Sequence, residues 1–106
     1  MVIMTVAWDL SQQEPMPREQ FQAAVASFVD NLPFFSGLQM KHFVFDPEGK
    51  RLGGVYFLAD DADLESYWQS DYWQGAVAAL GGQPRIERYL VIGKVDTASG
   101  QRQVLL

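Results

Sequence analysis

Apolar and polar residues change rhythm several times along the chain, and each rhythm predicts an element. Val2, Met4, Val6 and Trp8 alternate with Ile3, Thr5 and Ala7, which predicts a first strand from Val2 to Trp8. A polar loop from Asp9 to Met16 follows. Phe21, Ala24, Val25, Phe28 and Leu32 then recur at helical spacing as one apolar stripe, with Arg18, Gln22 and Asp30 on the wet side. Pro17 suits the first turn of this helix, and Pro33 ends it near Asn31.

Ser36-Gly37 predicts a turn, and Leu38 to Asp46 a second strand. Its alternation puts Leu38, Met40, His42 and Val44 on one face and Gln39, Lys41, Phe43 and Phe45 on the other. Asp46 to Lys50 reads as a hairpin loop, with Pro47 presetting a turn and Gly49 supplying positive φ. Arg51 to Ala59 is then a third strand, antiparallel to the second. Val55, Tyr56, Phe57 and Leu58 are apolar on both of its faces, so something covers each side of the sheet. The glycine pair Gly53-Gly54 marks a bulge or a close backbone approach.

Asp60 or Asp61 caps a second helix, Asp61 to Gln69, that buries Leu64, Tyr67 and Trp68. Asp63 and Glu65 add negative charge at the positive end of its dipole. Two readings stay open beyond it. Ser70-Asp71 caps a separate short helix, or one kinked helix continues with Leu64, Trp68, Tyr72, Ala76 and Leu80 four apart. Gly81-Gly82 ends the helical stretch. Pro84 precedes a fourth strand, Arg85 to Val95; Asp96 to Gly100 is a turn and Gln101 to Leu106 a tail.

The element order is βαββαβ, which predicts an α+β, ferredoxin-like fold in a single domain spanning 1–106, with its core over about 2–95. The helices of that arrangement cover one sheet face. The chain has 106 residues, 48% of them hydrophobic, and a monomer this small buries only a modest share of its surface. The simplest cover for the second apolar face is a second copy, so a two-fold homodimer is expected.

The net charge is -5 with no basic block, which disfavours nucleic acid and anionic membrane as partners. No run approaches the ~20 apolar residues of a membrane span. Met1 to Thr5 lacks a basic flank and reads as strand, not signal peptide. With no cysteine, the chain has no disulfide, thiol nucleophile or zinc-thiolate site, and the expected compartment is the cytoplasm.

Candidate chemistry is sparse. His42 is the only histidine, and the only side chain whose ordinary pKa lies near neutrality. It is the candidate catalytic base, or else a polar residue at a sheet edge or dimer seam. Tyr67, Trp68, Tyr72 and Trp73, with Trp8 and Tyr56, either line a pocket for a flat ligand or fill the core between helix and sheet. Asp60, Asp61, Asp63 and Glu65 fit helix capping and no metal-loop spacing. Lys41 and Arg88 are single charges inside strands, suited to an anionic substrate or to dimer salt bridges. No phosphate loop, serine triad or paired-carboxylate motif is present.

Gly37 and Lys41, then Gly53-Gly54-Val55-Tyr56, Asp60 and Tyr67, fall in an order and spacing that resembles the YdhR-type monooxygenase family, over roughly residues 2 to 95. The resemblance implies a dimeric α+β barrel, related to the antibiotic-biosynthesis monooxygenases, with a pocket between sheet and helices. It also implies oxidation of a small aromatic or polyketide-like molecule by oxygen, without flavin or metal. A binding protein that uses the same pocket without chemistry is the alternative; haem capture, known elsewhere in this fold class, is a weaker one because His42 lies on a strand.

Overall fold

The computed structural model describes residues 1–106. Four strands pair antiparallel in one sheet: β1 (Val2–Asp9), β2 (Leu38–Asp46), β3 (Arg51–Leu58) and β4 (Arg85–Leu90). Their spatial order is β2-β3-β1-β4. Three helices, α1 (Arg18–Asp30), α2 (Leu64–Trp68) and α3 (Asp71–Leu80), complete an α+β fold. No helix is long and apolar enough to cross a membrane.

Directly paired residues share a sheet face, so the register sorts the side chains. Met4, Val6 and Trp8 of β1 stand with Tyr56, Gly54 and Leu52 of β3, and these face the helices. Lys41 and Phe43 of β2 pair with Tyr56 and Gly54 and share that side. The core forms there, where Met4, Val6, Trp8, Tyr56 and Leu58 meet Phe35, Tyr67, Trp73 and Ala76. The opposite face carries Ile3, Thr5 and Ala7, Val55 and Phe57, Met40, His42 and Val44, and Tyr89. Nothing in the chain covers it, and Met40, Val44 and Tyr89 stay 46–53% exposed.

Several elements differ from the sequence expectation, each for a local reason. The register of β2 slips between Leu38 and Met40, which turns Leu38 towards the core and away from Met40, His42 and Val44. The second helix starts at Leu64, not Asp61, because Asp63 is its cap and accepts from the Ser66 N–H at 3.1 Å. Asp60 pairs instead with the Met1 amino group. Ser70 accepts from the Trp73 N–H and donates to the Tyr67 carbonyl, so it closes one helix and opens a separate one. Pro17 sits one position earlier than expected, at the N-cap of α1.

The fourth strand ends at Leu90 rather than Val95, and the expected tail is a strand. β5 (Gly93–Asp96) pairs with β6 (Gln101–Val104) in a separate two-stranded hairpin. Asp96 fixes its turn by accepting from the N–H groups of Ala98 and Ser99. All eight strand residues of this hairpin are exposed.

Gly37 holds the start of α2 in place. Its carbonyl accepts from the Ala59 N–H at 2.8 Å, and the neighbouring Ser36 carbonyl accepts from the Asp63 N–H at 2.8 Å. Its φ is +92°, and a Cβ there would stand 2.4 Å from the Ala62 Cα. A side chain is therefore opposed both by the left-handed backbone and by the Ala62 main chain. Gly37→Ala is expected to lower the unfolding free energy by about 2–4 kcal/mol in urea titration, the combined scale of left-handed strain and overpacking.

Candidate functional site

The glycine pair opens the space in which the site is built. A Cβ on Gly53 would stand 1.7 Å from the Val6 carbonyl oxygen, so β1 and β3 approach closely here. A Cβ on Gly54, on the helix side, would stand 2.6 Å from Cε of Lys41. The absent side chain gives the Lys41 stem its path across the sheet. Its Nζ then lies over three rings, 4.1 Å from the centroid of Phe43, 4.5 Å from Tyr56 and 5.6 Å from Tyr72.

Around this amine is a cavity of about 30 Å³, walled by Trp8, Val25, Phe28, Phe43, Leu52, Gly53, Tyr56, Tyr67, Tyr72, Trp73 and Ala76. Tyr67 is the hub of the aromatic wall. Its ring lies 4.8–6.2 Å from those of Phe35, Tyr56, Trp68, Tyr72 and Trp73. The Tyr56 and Tyr67 hydroxyls share a hydrogen bond of 2.5 Å, and the Tyr72 hydroxyl donates to the Phe28 carbonyl at 2.9 Å. Trp8 Nε1 donates to the Gly82 carbonyl at 2.7 Å, and its ring leans on Trp73 at 5.5 Å. The three tyrosine hydroxyls and the Trp8 indole N–H of the wall thus have partners.

Lys41 has none. The three ion pairs of the chain are Met1–Asp60, Arg51–Asp46 and Arg85–Glu87, and no Asp, Glu or His lines the cavity. Burial disfavours its ammonium form and lowers its pKa to about 7. Burial acts on the tyrosines in the opposite direction. It pushes Tyr67 up to about 12, against the hydrogen bond from Tyr56, and raises Tyr56 and Tyr72 as well. At neutral pH the site therefore holds three protonated phenols and an amine balanced between its two forms.

A second, larger space adjoins the first. A groove of about 470 Å³ runs under α1, between Phe21, Ala24, Val25 and Phe28 and the sheet residues Phe45 and Leu52. The 10–16 loop and Leu80 close its other side. Val25, Phe28 and Leu52 wall both spaces. No residue of α1 is fully buried; Phe21, Ala24, Val25 and Phe28 border this groove, and Phe28 also packs against the core.

The structure brings together five of the six aromatic residues that the sequence singled out: Trp8, Tyr56, Tyr67, Tyr72 and Trp73. Trp68 is not among them. The break at Ser70 sends its ring against the edge of Trp73, at 4.5 Å, behind the cavity wall. His42 is separated from the group altogether. It neighbours Lys41 in β2, so strand alternation puts it on the opposite, open face, beside Met40 and Phe57. Arg88 lies on the exposed strand β4 and does not reach the cavity. Sequence reasoning had grouped Lys41 with Arg88, and had read Phe21, Val25 and Phe28 only as part of the apolar stripe of a helix. The signal for Lys41 was its place opposite Tyr56, on the strand face it shares with Phe43 and Gly54. No group of three or more His, Cys, Asp or Glu side chains is placed to hold a metal ion. Compared with known protein families and with curated proteins, the chain matches none.

The lowered pKa of Lys41 has a stability consequence with a definite sign. Its folded value lies below the unfolded one, so above about pH 7 the unfolded chain binds the extra proton, and stability rises with pH until the unfolded lysine also deprotonates. The raised tyrosines oppose this only above ~10, their unfolded range. Wild-type stability is therefore expected to rise between about pH 7 and pH 9. Lys41→Met is expected to remove that rise and to stabilise the protein at pH 7 and below by ~1–4 kcal/mol, measured by urea unfolding across pH.

Proposed function

We propose that this chain is a cytoplasmic, homodimeric monooxygenase of the YdhR type, acting on a small aromatic or polyketide-like molecule with oxygen and without flavin or metal. The observation that carries the reading is the aromatic-walled cavity with a single unpaired amine, beside a larger, mainly apolar groove on the helix side of the sheet whose lining also includes Glu14, Arg18 and Lys50. An apolar site with a few convergent polar groups suits a flat, weakly polar ring. The strand order β2-β3-β1-β4 supports the ferredoxin-like arrangement that the resemblance implies.

Two features support the dimer. The open sheet face is apolar through Ile3, Val55, Phe57, Met40 and Val44, and a second copy would remove it from water. The β5–β6 hairpin exposes Val95 and Val104, at 55% and 80%, and a free two-stranded hairpin is marginal in water. In this arrangement His42 belongs to the dimer face, and no base role on the helix-side ring is assigned to it.

Sedimentation equilibrium at micromolar concentration is expected to give twice the 11.9 kDa chain mass, and Phe57→Arg to shift it to monomer. A wild-type protein that sediments only as monomer overturns the dimer. For the chemistry, oxygen uptake is measured with phenolic and polyketide-like rings after flavin release and metal assay. Uptake matched to product formation in protein free of both supports the reading. Rings that bind tightly and are never consumed under oxygen make the chain a binding protein instead. His42→Ala is expected to leave ring binding unchanged, since the side chain points away from both spaces.

A further inference from the structure

An amine and a phenol hydrogen meet at the inner cavity with nothing in the protein to engage them. Lys41 Nζ lies over the rings of Phe43, Tyr56 and Tyr72, and no carboxylate or histidine lines the cavity. The Tyr56 and Tyr67 hydroxyls carry two hydrogens and share one hydrogen bond, so whichever hydroxyl accepts keeps its own hydrogen unused. Both residues are about 1% exposed, where an unused donor costs free energy. The Tyr72 hydrogen, by contrast, is spent on the Phe28 carbonyl. The titratable groups facing the amine are thus three phenols, from β3, α2 and α3; β1 and α1 bring none. Burial raises all three phenols and lowers Lys41 to about 7.

We propose that Lys41 forms a reversible imine with an unhindered aldehyde, whose carbon meets the amine while its oxygen accepts the unused tyrosine hydrogen. The inference rests on the reading of this cavity as a small-molecule pocket and not on the oxygen chemistry. An amine attacks only when unprotonated, and burial leaves a large share of this one so at neutral pH. Its lone pair forms a C–N bond to the carbonyl carbon, and the C=O π pair moves to oxygen. One amine hydrogen passes to that oxygen, giving the carbinolamine. The C–O bond then breaks, and water leaves with the carbonyl oxygen and both amine hydrogens, so that C=N replaces C=O. No oxidant or reductant takes part. The phenol polarises the carbonyl through its hydrogen bond and keeps its proton, as suits a buried phenol. With no carboxylate to balance an iminium, the product rests as the neutral imine.

The walls decide which aldehyde. The cavity of about 30 Å³ admits a carbonyl group and not a ring, since a water alone needs roughly 10–15 Å³ by the same measure. Trp8, Tyr56, Tyr67, Trp73 and Ala76 are buried, whereas Lys41, Phe43, Phe28 and Tyr72 are only half-buried. The side nearest solvent is therefore that of the half-buried rings, along β2, an edge strand of the sheet. An unbranched apolar tail lies along those rings with its carbonyl inside, and a branched carbon beside the carbonyl is too broad to follow. The two other lysines of the chain, Lys50 and Lys94, lie outside this cavity and serve as internal controls.

The test is to incubate the full-length protein with hexanal at about pH 7, trap imines with cyanoborohydride, and locate the hexyl group by peptide mass mapping. Lys41 is expected to be labelled at least about tenfold faster than Lys50 or Lys94, since an ordinary lysine is unprotonated to only ~0.1% or less there. Without the reductant, dialysis is expected to return the unmodified mass. In urea-unfolded protein the preference is expected to vanish. Lys41→Met, checked for native circular dichroism, is expected to lose the fast label and keep the slow ones. Trapping at Lys41 no faster than at the other lysines, or an equal preference in the unfolded chain, overturns the inference. So does equally fast trapping of pivaldehyde, whose branched carbon the cavity excludes. Ring binding, measured separately, tells the failures apart. If rings bind and Lys41 stays unreactive, the imine alone is wrong; if rings do not bind and Lys41 stays unreactive, the pocket reading falls with it.

Discussion

The hydrogen bond between the Tyr56 and Tyr67 hydroxyls is the joint on which the helix side of the molecule depends. Tyr56 comes from the middle of the sheet and Tyr67 from a helix of only five residues. A helix that short has little stability of its own, and its position comes from what it packs against. Both rings are about 1% exposed, so each hydroxyl needs a partner inside the protein and each is the other's. Around this pair Phe35, Trp68, Tyr72 and Trp73 find their places. The connection before α2 is held from the other end, by the carbonyls of Ser36 and Gly37.

That joint also explains why the site lies where it does. With Tyr67 and Trp73 drawn onto β1 and β3, the packed core occupies one end of the helix face. α1 contributes no fully buried residue and meets the rest of the fold through separate contacts, Phe21 on Phe45 of the sheet at 4.9 Å and Phe28 on Tyr72 of α3 at 6.4 Å. The space left beneath it is the groove, and the Lys41 cavity lies between groove and core. Burial thus falls from the tyrosine pair outward to α1. The amine sits at that boundary, half-buried over three rings and with no carboxylate beside it.

The two sheet faces divide the chemistry of the chain. The helix side holds the aromatic walls and the amine, while the open side holds the only histidine among apolar neighbours. Lys41 and His42 are adjacent in sequence and separated by the full thickness of the sheet. Any account of function that needs both in one pocket conflicts with the alternation of β2.

The sequence by itself determined the strands over 2–8, 38–46 and 51–59, the last one residue longer than in the structure, the first helix, the glycine stop at Gly81 and the pairing of β2 with β3, because each rests on local periodicity or turn chemistry. It also determined that both sheet faces are apolar, and it drew attention to five aromatic residues that do meet around one cavity. Only the tertiary structure decided which of two equivalent faces receives the helices, and with that choice the separation of His42 from the tyrosines. Alternation states that neighbours oppose each other and is silent on which of them is inside. The β2 register slip at Leu38, the cap at Asp63, the break at Ser70 and the β5–β6 hairpin escaped for a related reason. Each is fixed by which of several competent polar groups finds a backbone partner, and that follows from how the chain closes on itself. The unpaired state of Lys41 is of the same kind, since a missing counter-charge is a property of the whole surrounding wall, drawn from six separate elements.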